Sequence, residues 1–245
     1  MLVTGGAKRI GAAIARSFGE AGWHVVIHYG RSRVQAEKLA SELPSAEVIS
    51  FDLDSWEEGP RALRELAERL PDWRVLINCA GVFDLDSAQG IEKSTFTRAM
   101  QVNAASPALI GQTFLHHARS SSGRRLIHIT DQKLANPNPD FFSYTMSKHA
   151  LASTIPMLSM ARVDPLDRVY GIAPGAILAS HDQTEAETEV SHRMNLLSRK
   201  TAAEEIARTA LFLSRGLLAS GETVFVDSGQ HLVPQPRDVL FLARQ

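Results

Sequence analysis

The sequence predicts an α/β fold: one doubly wound parallel sheet with helices on both faces. Three observations lead there. Strand-like and helix-like segments alternate along nearly the whole chain, as a succession of βαβ units requires. A glycine-bearing turn, "LVTGGAKRIG", separates the first short apolar segment from the first helical pattern. The 245 residues can bury a substantial core, which favours a single domain over residues 1–245.

Residues 1–3 read as the end of a short strand. Ile10, Ile14 and Phe18 then stack at i+4 spacing and predict a helix over 9–21. "HVVIHY" (24–29) is the second strand, 33–42 a helix and "AEVISFD" (46–52) the third strand. "WEEGPRALRELAERL" (56–70) is amphipathic, with a Gly-Pro that delays the helix start. "RVLINCA" (74–80) is the fourth strand, a helical stretch follows near 93–119, and "RRLIHIT" (124–130) is the fifth strand. A long helix at 142–162 contains Pro156, which either kinks it or lies on a face that tolerates the missing N–H. "RVYGIAP" (168–174), a helix at 202–215 and "ETVFVD" (222–227) complete seven strands. The polar stretch 176–200 reads as a long substrate loop, and 230–245 as a tail that packs on the body or on a neighbour.

Composition excludes several classes. Lys and Arg total 26 against 27 Asp and Glu, a net charge of -1 with no long basic run, so nucleic acid is not an expected partner. The only cysteine is Cys79, which rules out an intramolecular disulfide and a cysteine-rich zinc site. His116 and His117 project about 100° apart on a helix, the wrong spacing for joint chelation, and no metal is expected. No apolar run approaches the roughly 18 residues that span a bilayer, and "MLVTGG" enters a turn directly, which is unlike a signal peptide. A cytoplasmic protein without membrane partners is the expectation.

The pair Tyr144 and Lys148 in "DFFSYTMSKHAL" carries the most chemistry. Positions i and i+4 share a helix face, so phenol and ammonium can address one small volume. A cation there favours phenolate and would lower the tyrosine pKa from about 10 toward an acid/base range. Asp131 lies thirteen residues before Tyr144. The turn Thr4-Gly5-Gly6-Ala7-Lys8-Arg9-Ile10-Gly11 suits close approach of backbone to a pyrophosphate at a helix N-terminus.

With Thr4–Gly11, "NCAG" at 78–81, Asn103, Tyr144/Lys148 and "APG" at 173–175, the chain resembles the short-chain dehydrogenase/reductase family over essentially its whole length. The resemblance implies a Rossmann-type seven-stranded parallel sheet, a nicotinamide cofactor and catalysis by Asn, Ser, Tyr and Lys. Tyr144 would be the proton donor. Lys148 would lower its pKa and hold the nicotinamide ribose, and Asn103 would anchor a proton-relay water. Gly5, Lys8, Arg9, Ile10 and Gly11 would cradle the pyrophosphate. Asn78, Ala80 and Gly81, with Pro174 and Gly175, would complete the cofactor-binding set.

Three departures are informative. Asp131 stands where most members have serine, Arg9 replaces the middle glycine of TGxxxGxG, and the usual NNAG reads Asn78-Cys79-Ala80-Gly81. The first two occur together in the pteridine reductases and the similar dihydromonapterin reductases, where an aromatic residue at the position of Phe83 sandwiches the pterin. A physical argument supports this branch: an ionised carboxylate repels the alkoxide of a ketone reduction but accepts hydrogen bonds from the N–H groups of a pterin. Arg9 would add charge-assisted hydrogen bonds to pyrophosphate or to the pterin carbonyl edge. The plainer alternatives are a water-facing Asp131, a solvated Arg9 and a Phe83 that only packs in a loop.

At the end of the second strand, Tyr29-Gly30-Arg31-Ser32 brings an arginine and a hydroxyl and no carboxylate, which suits a 2′-phosphate and favours NADPH (NADP) over NADH. Asp52 and Leu53, after the third strand, fall where family members hold the adenine. The expected activity is NADPH-dependent reduction of a dihydropterin, dihydromonapterin or dihydrofolate, placing the chain in folate metabolism. A carbonyl or 3-oxoacyl reductase is the alternative, and a non-catalytic NADPH sensor a second one. The resemblance also implies a homo-oligomer, a tetramer or dimer, built on the long helices.

Overall fold

The computed structural model describes residues 1–180 and 182–245. Seven parallel strands form one sheet in the order β3-β2-β1-β4-β5-β6-β7. They are β1 (Leu2–Val3), β2 (Val25–Tyr29), β3 (Ala46–Ser50), β4 (Val75–Asn78), β5 (Arg125–Ile129), β6 (Arg168–Pro174) and β7 (Thr223–Val226). Successive strand residues face opposite sides, and both sides are apolar. Val25, Ile27, Ile77, Ile127 and Tyr170 join one core, while Val26, Leu76, Leu126 and Val169 join the other.

The helices α1 (Arg9–Glu20), α2 (Arg33–Glu42) and α8 (Ala203–Leu213) contribute to the first core. Helices α3 (Glu58–Arg69), α5 (Ser106–His117) and α6 (Phe142–Ala161) contribute to the second. The remaining helices are α4 (Lys93–Met100), α7 (Glu185–Ser191) and α9 (Val239–Leu242). The Gly-Pro of α3 falls in its first turn, where a missing N–H is tolerated. Pro156 does not end α6, because it lies on the exposed face.

Two expectations need correction. The helical stretch 93–119 is not one regular helix: α4 and α5 are joined by a π turn at Gln101–Ala105, and the helix stops at His117. The stretch 176–200 is not structureless, since Thr184 and Glu187 form a reciprocal capping box that starts α7.

Strand order reverses between β1 and β4, and in open α/β sheets this opens a crevice beyond the strand ends. Two histidines reinforce its floor from inside the strands. His28 on β2 accepts from the Gly5 N–H (3.1 Å), while its other ring nitrogen lies 2.9 Å from the Phe51 carbonyl. Those partners fix a neutral tautomer. His128 on β5 pairs with Asn78 at 3.1 Å.

Burial lowers the pKa of His28 from 6.5 to about 4 and that of His128 to about 3, the latter helped by the Lys148 charge. The unfolded chain therefore binds these protons more tightly, and stability held above pH 6.5 is lost as pH falls toward those folded values. Chemical denaturation should show the midpoint declining as soon as pH drops below 6.5. A midpoint flat from there down to about pH 5, above the ordinary carboxylate range, would contradict this.

Candidate active site

The crevice holds a cavity of about 420 Å³ whose walls run from the Gly5–Gly11 turn to Tyr144 and Lys148. At one end the backbone is stripped of side chains by necessity. Gly5 has φ +63°, and a Cβ on Gly11 would lie 2.3 Å from the Gly5 carbonyl oxygen. Thr4 bolts this turn to the next one, its hydroxyl accepting from the N–H groups of Cys79 (3.0 Å) and Ala80 (3.1 Å). The first helical bond of α1 runs from Ala12 N to Lys8 O, so the N–H groups of Arg9, Ile10 and Gly11 are not used by the helix. This cradle fits a pyrophosphate.

Arg9 keeps the left-handed backbone its glycine-like position demands, at φ +54°. Its guanidinium donates to the carbonyls of Ala179 (2.9 Å) and Leu178 (3.4 Å), latching the turn to the segment that follows β6. It is neither a freely solvated residue nor directed at an anion in this state. Asp52 accepts from the Asp54 N–H at 2.9 Å, with Leu53 buried beside it. Tyr29, Arg31 and Ser32 sit at the C-terminal end of β2, and Arg31 makes no ion pair among the described residues. Pro174 and Gly175 close the opposite wall.

The reacting end is built by β5, α6 and the π turn. The Tyr144 hydroxyl donates to Asp131 Oδ2 at 2.7 Å, and Asp131 Oδ1 accepts from the Lys133 N–H at 2.9 Å. Asp131 therefore faces the pocket rather than water. The Lys148 ammonium donates to the Ile129 carbonyl (2.8 Å) and lies 5.7 Å from the Tyr144 ring centre.

The expected acidifying effect of Lys148 on Tyr144 does not hold here. Burial and the Asp131 carboxylate together push the phenol well above its ordinary 10.0. Burial also raises Asp131 above 3.8, against the opposing charge of Lys133, and lowers Lys148. Phenol and carboxylate form one coupled, proton-retaining pair.

Asn103 sits in the π turn, where Ser106 N bonds back to Gln101 O and Pro107 has no N–H to offer the Asn103 carbonyl. Its side chain is fully used: Oδ1 accepts from Val82 N (2.8 Å), and Nδ2 donates to Val82 O (2.9 Å) and Ser147 Oγ (3.0 Å). Asn78 donates to Pro107 O at 3.0 Å, so it is a strut behind the site. Burial lifts the Cys79 thiol to about 11, consistent with a space-filling role.

Phe83 lines the pocket, stacked on Phe141 (4.0 Å) and edge-on to Tyr144 (4.5 Å). Several pocket residues carried no signal in the sequence. Gln132, Lys133 and His192 line it, and so do Asp238, Val239 and Leu240 from the tail. Only their folding into one wall reveals them.

A family model described as enoyl-(acyl carrier protein) reductase matches residues 5–231. Protein FixR of Bradyrhizobium diazoefficiens is 30% identical over 243 residues, 95% of this chain and 86% of that protein. The chain belongs to the short-chain dehydrogenase/reductase family and is an oxidoreductase of that family. FolM alternative dihydrofolate reductase 1 from Brucella suis, crystallised in complex with NADP, superposes with a TM-score of 0.88 at 30% identity, covering 96% of this chain and 95% of that one. Glucose 1-dehydrogenase 2 of Bacillus subtilis is 27% identical over 245 residues, 95% of each chain. Relatives of comparable likeness thus bear the names of different substrates.

Because Asp131 is raised in the folded state, the native protein holds its proton more tightly than the unfolded chain does. The group then costs stability as pH rises from 3.8 through its folded value. Asp131→Asn should increase stability at neutral pH and bring the Tyr144 pKa down. With only three tyrosines in the chain, phenolate absorbance against a Tyr144→Phe reference resolves that shift. An unaltered Tyr144 titration would contradict the coupling.

Proposed function

We propose that the chain is a cytoplasmic NADPH-dependent reductase of a pteridine ring, acting on a dihydropterin such as dihydromonapterin or on a dihydrofolate. The observation that carries this reading is the hydrogen bond from Tyr144 to Asp131 beside Lys148 and Phe83. The likeness to FolM alternative dihydrofolate reductase 1, a protein crystallised with NADP, supports it.

Residues along the crevice suit each part of the cofactor. The Arg9–Gly11 N–H groups and Lys8 would take the pyrophosphate, and Arg31 and Ser32 the 2′-phosphate. Asp52 and Leu53 would hold the adenine, and Lys148 the ribose. Asn78, Ala80, Gly81, Pro174 and Gly175 would border the nicotinamide end. NADPH supplies the hydride when bound.

The chain's own task is the proton. Reducing a C=N bond places hydride on carbon and a proton on nitrogen, and the Tyr144–Asp131 pair holds a proton between two oxygens at the pocket wall. Because burial and the Asp131 charge hold the phenol well above its ordinary 10.0, Tyr144 keeps its proton at neutral pH, hydrogen-bonded to Asp131, and acts as the acid. The same carboxylate disfavours a ketone, whose reduction develops negative charge on oxygen. Phe83 belongs to an aromatic pocket wall suited to a bicyclic ring, and its stacking on Phe141 holds it in place.

The reading carries with it a homo-oligomer, for which α6 offers exposed Met146, Met157 and Met160. The decisive assay compares NADPH oxidation with dihydrobiopterin or dihydromonapterin against a panel of ketoesters. Turnover of the ketoesters alone rejects the pterin reading. Asp131→Ser should cut kcat/KM for the pterin by about 10²-fold or more, the range expected for loss of an acid/base group. An unchanged kcat/KM would remove Asp131 from the mechanism.

A further inference from the structure

The C-terminal tail does not lie loosely on the surface. The Lys133 ammonium, in a residue only 4% exposed, is 2.6 Å from the Asp238 carboxylate. Arg237 donates to both oxygens of Asp140 (3.0 and 2.7 Å), and Asp238 N donates to the same carboxylate at 2.8 Å. Phe241 stacks over Phe141 at 6.0 Å, extending the aromatic series that runs through Phe83 to Tyr144. Arg244 ties the far end to Glu187 on α7 at 3.0 Å. The tail therefore forms one wall of the pocket that contains Tyr144, and Asp238 lies on that wall.

A second, independent feature lies on the same wall. Gln132 lines the cavity and is only 7% exposed, yet its buried side-chain oxygen Oε1 has no hydrogen-bond partner among the described residues. Most polar side chains around it are engaged: Thr130 with Ile172 O, Gln183 with Ser191, Gln230 with Ala176 N and Lys148 with Ile129 O. A buried carbonyl oxygen left unpaired loses its hydration without replacement, so such an atom in a native pocket points to a missing partner. An amide offers both a donor and an acceptor, and a carboxylate whose two oxygens each accept one hydrogen bond retains lone pairs for more. Asp238 is in that condition, with Oδ1 accepting from Leu240 N and Oδ2 facing Lys133.

We propose that the tail supplies a second carboxylate to the substrate pocket, and that Asp238 and Gln132 together recognise the N–H-rich edge of a compact, flat heterocycle. This rests on the pteridine reading and assigns its two carboxylates different work. Asp131 shares a proton with Tyr144 at the reacting bond, whereas Asp238 orients the ring from its far edge. A ketone oxygen, already served by Tyr144, leaves both Gln132 and Asp238 without a contact. Asp238 stands within electrostatic reach of the phenol, since its charge adds to the upward push on Tyr144.

The test uses the full chain, saturating NADPH, and a dihydropterin alongside a ketoester. Lys133→Met with Asp238→Leu replaces the bridge by an apolar pair of similar volume and keeps the tail packed. Gln132→Leu removes the unpaired oxygen. Each variant is expected to raise KM for the dihydropterin about tenfold or more, equivalent to 1.4 kcal/mol of lost binding, with KM for NADPH within about twofold. If the double variant fails to fold, Asp238→Asn is read by the same KM split. A dihydropterin KM within about twofold of wild type in variants that fold overturns this inference and leaves the pteridine reading standing. A wild-type chain that reduces only ketoesters overturns both.

Discussion

The site depends on one buried hydrogen bond, from the Tyr144 phenol on α6 to the Asp131 carboxylate at the end of β5. Removing two ionisable groups from water costs most in their charged forms, so each holds its proton more tightly than it would in solvent. A serine at position 131 would impose no such constraint. The carboxylate converts an isolated phenol into half of a proton-sharing pair, and with that it changes which substrates the pocket can stabilise.

The fold delivers this pair to a place where a dinucleotide can meet it. Reversal of strand order between β1 and β4 leaves the crevice, and in the turn at its rim Gly5 and Gly11 have no room for a Cβ. Thr4 and His28 hold that turn from below through backbone N–H groups. On the far side, β5 carries Asp131 directly into a short turn whose Lys133 captures the tail. The glycine turn, the proton pair and the tail are therefore walls of one cavity, the last two both anchored just beyond the end of β5.

Much of this was legible in the sequence because it is local. Strand and helix alternation, the glycine turn and the i, i+4 spacing of Tyr144 and Lys148 are short-range patterns, and the seven strands fall close to where periodicity puts them. The π turn was not legible, because it arises from Pro107 withholding an N–H rather than from any change in apolar spacing. Electrostatics were misread for a similar reason. Spacing places Lys148 beside Tyr144, but only the packed structure shows its ammonium given to the Ile129 carbonyl and the phenol given to Asp131. The tail was illegible in a deeper sense: Asp238 reaches Lys133 across 105 residues of chain, and nothing near either residue announces the other.

A crystal structure of the chain with NADP and a dihydropterin tests the central claim most directly. The account predicts the pterin against Phe83, with the Asp131 carboxylate still within hydrogen-bonding distance of the Tyr144 hydroxyl and both at the reducible C=N bond. Asp131 turned away from Tyr144, with the pterin bound elsewhere in the crevice, would contradict it.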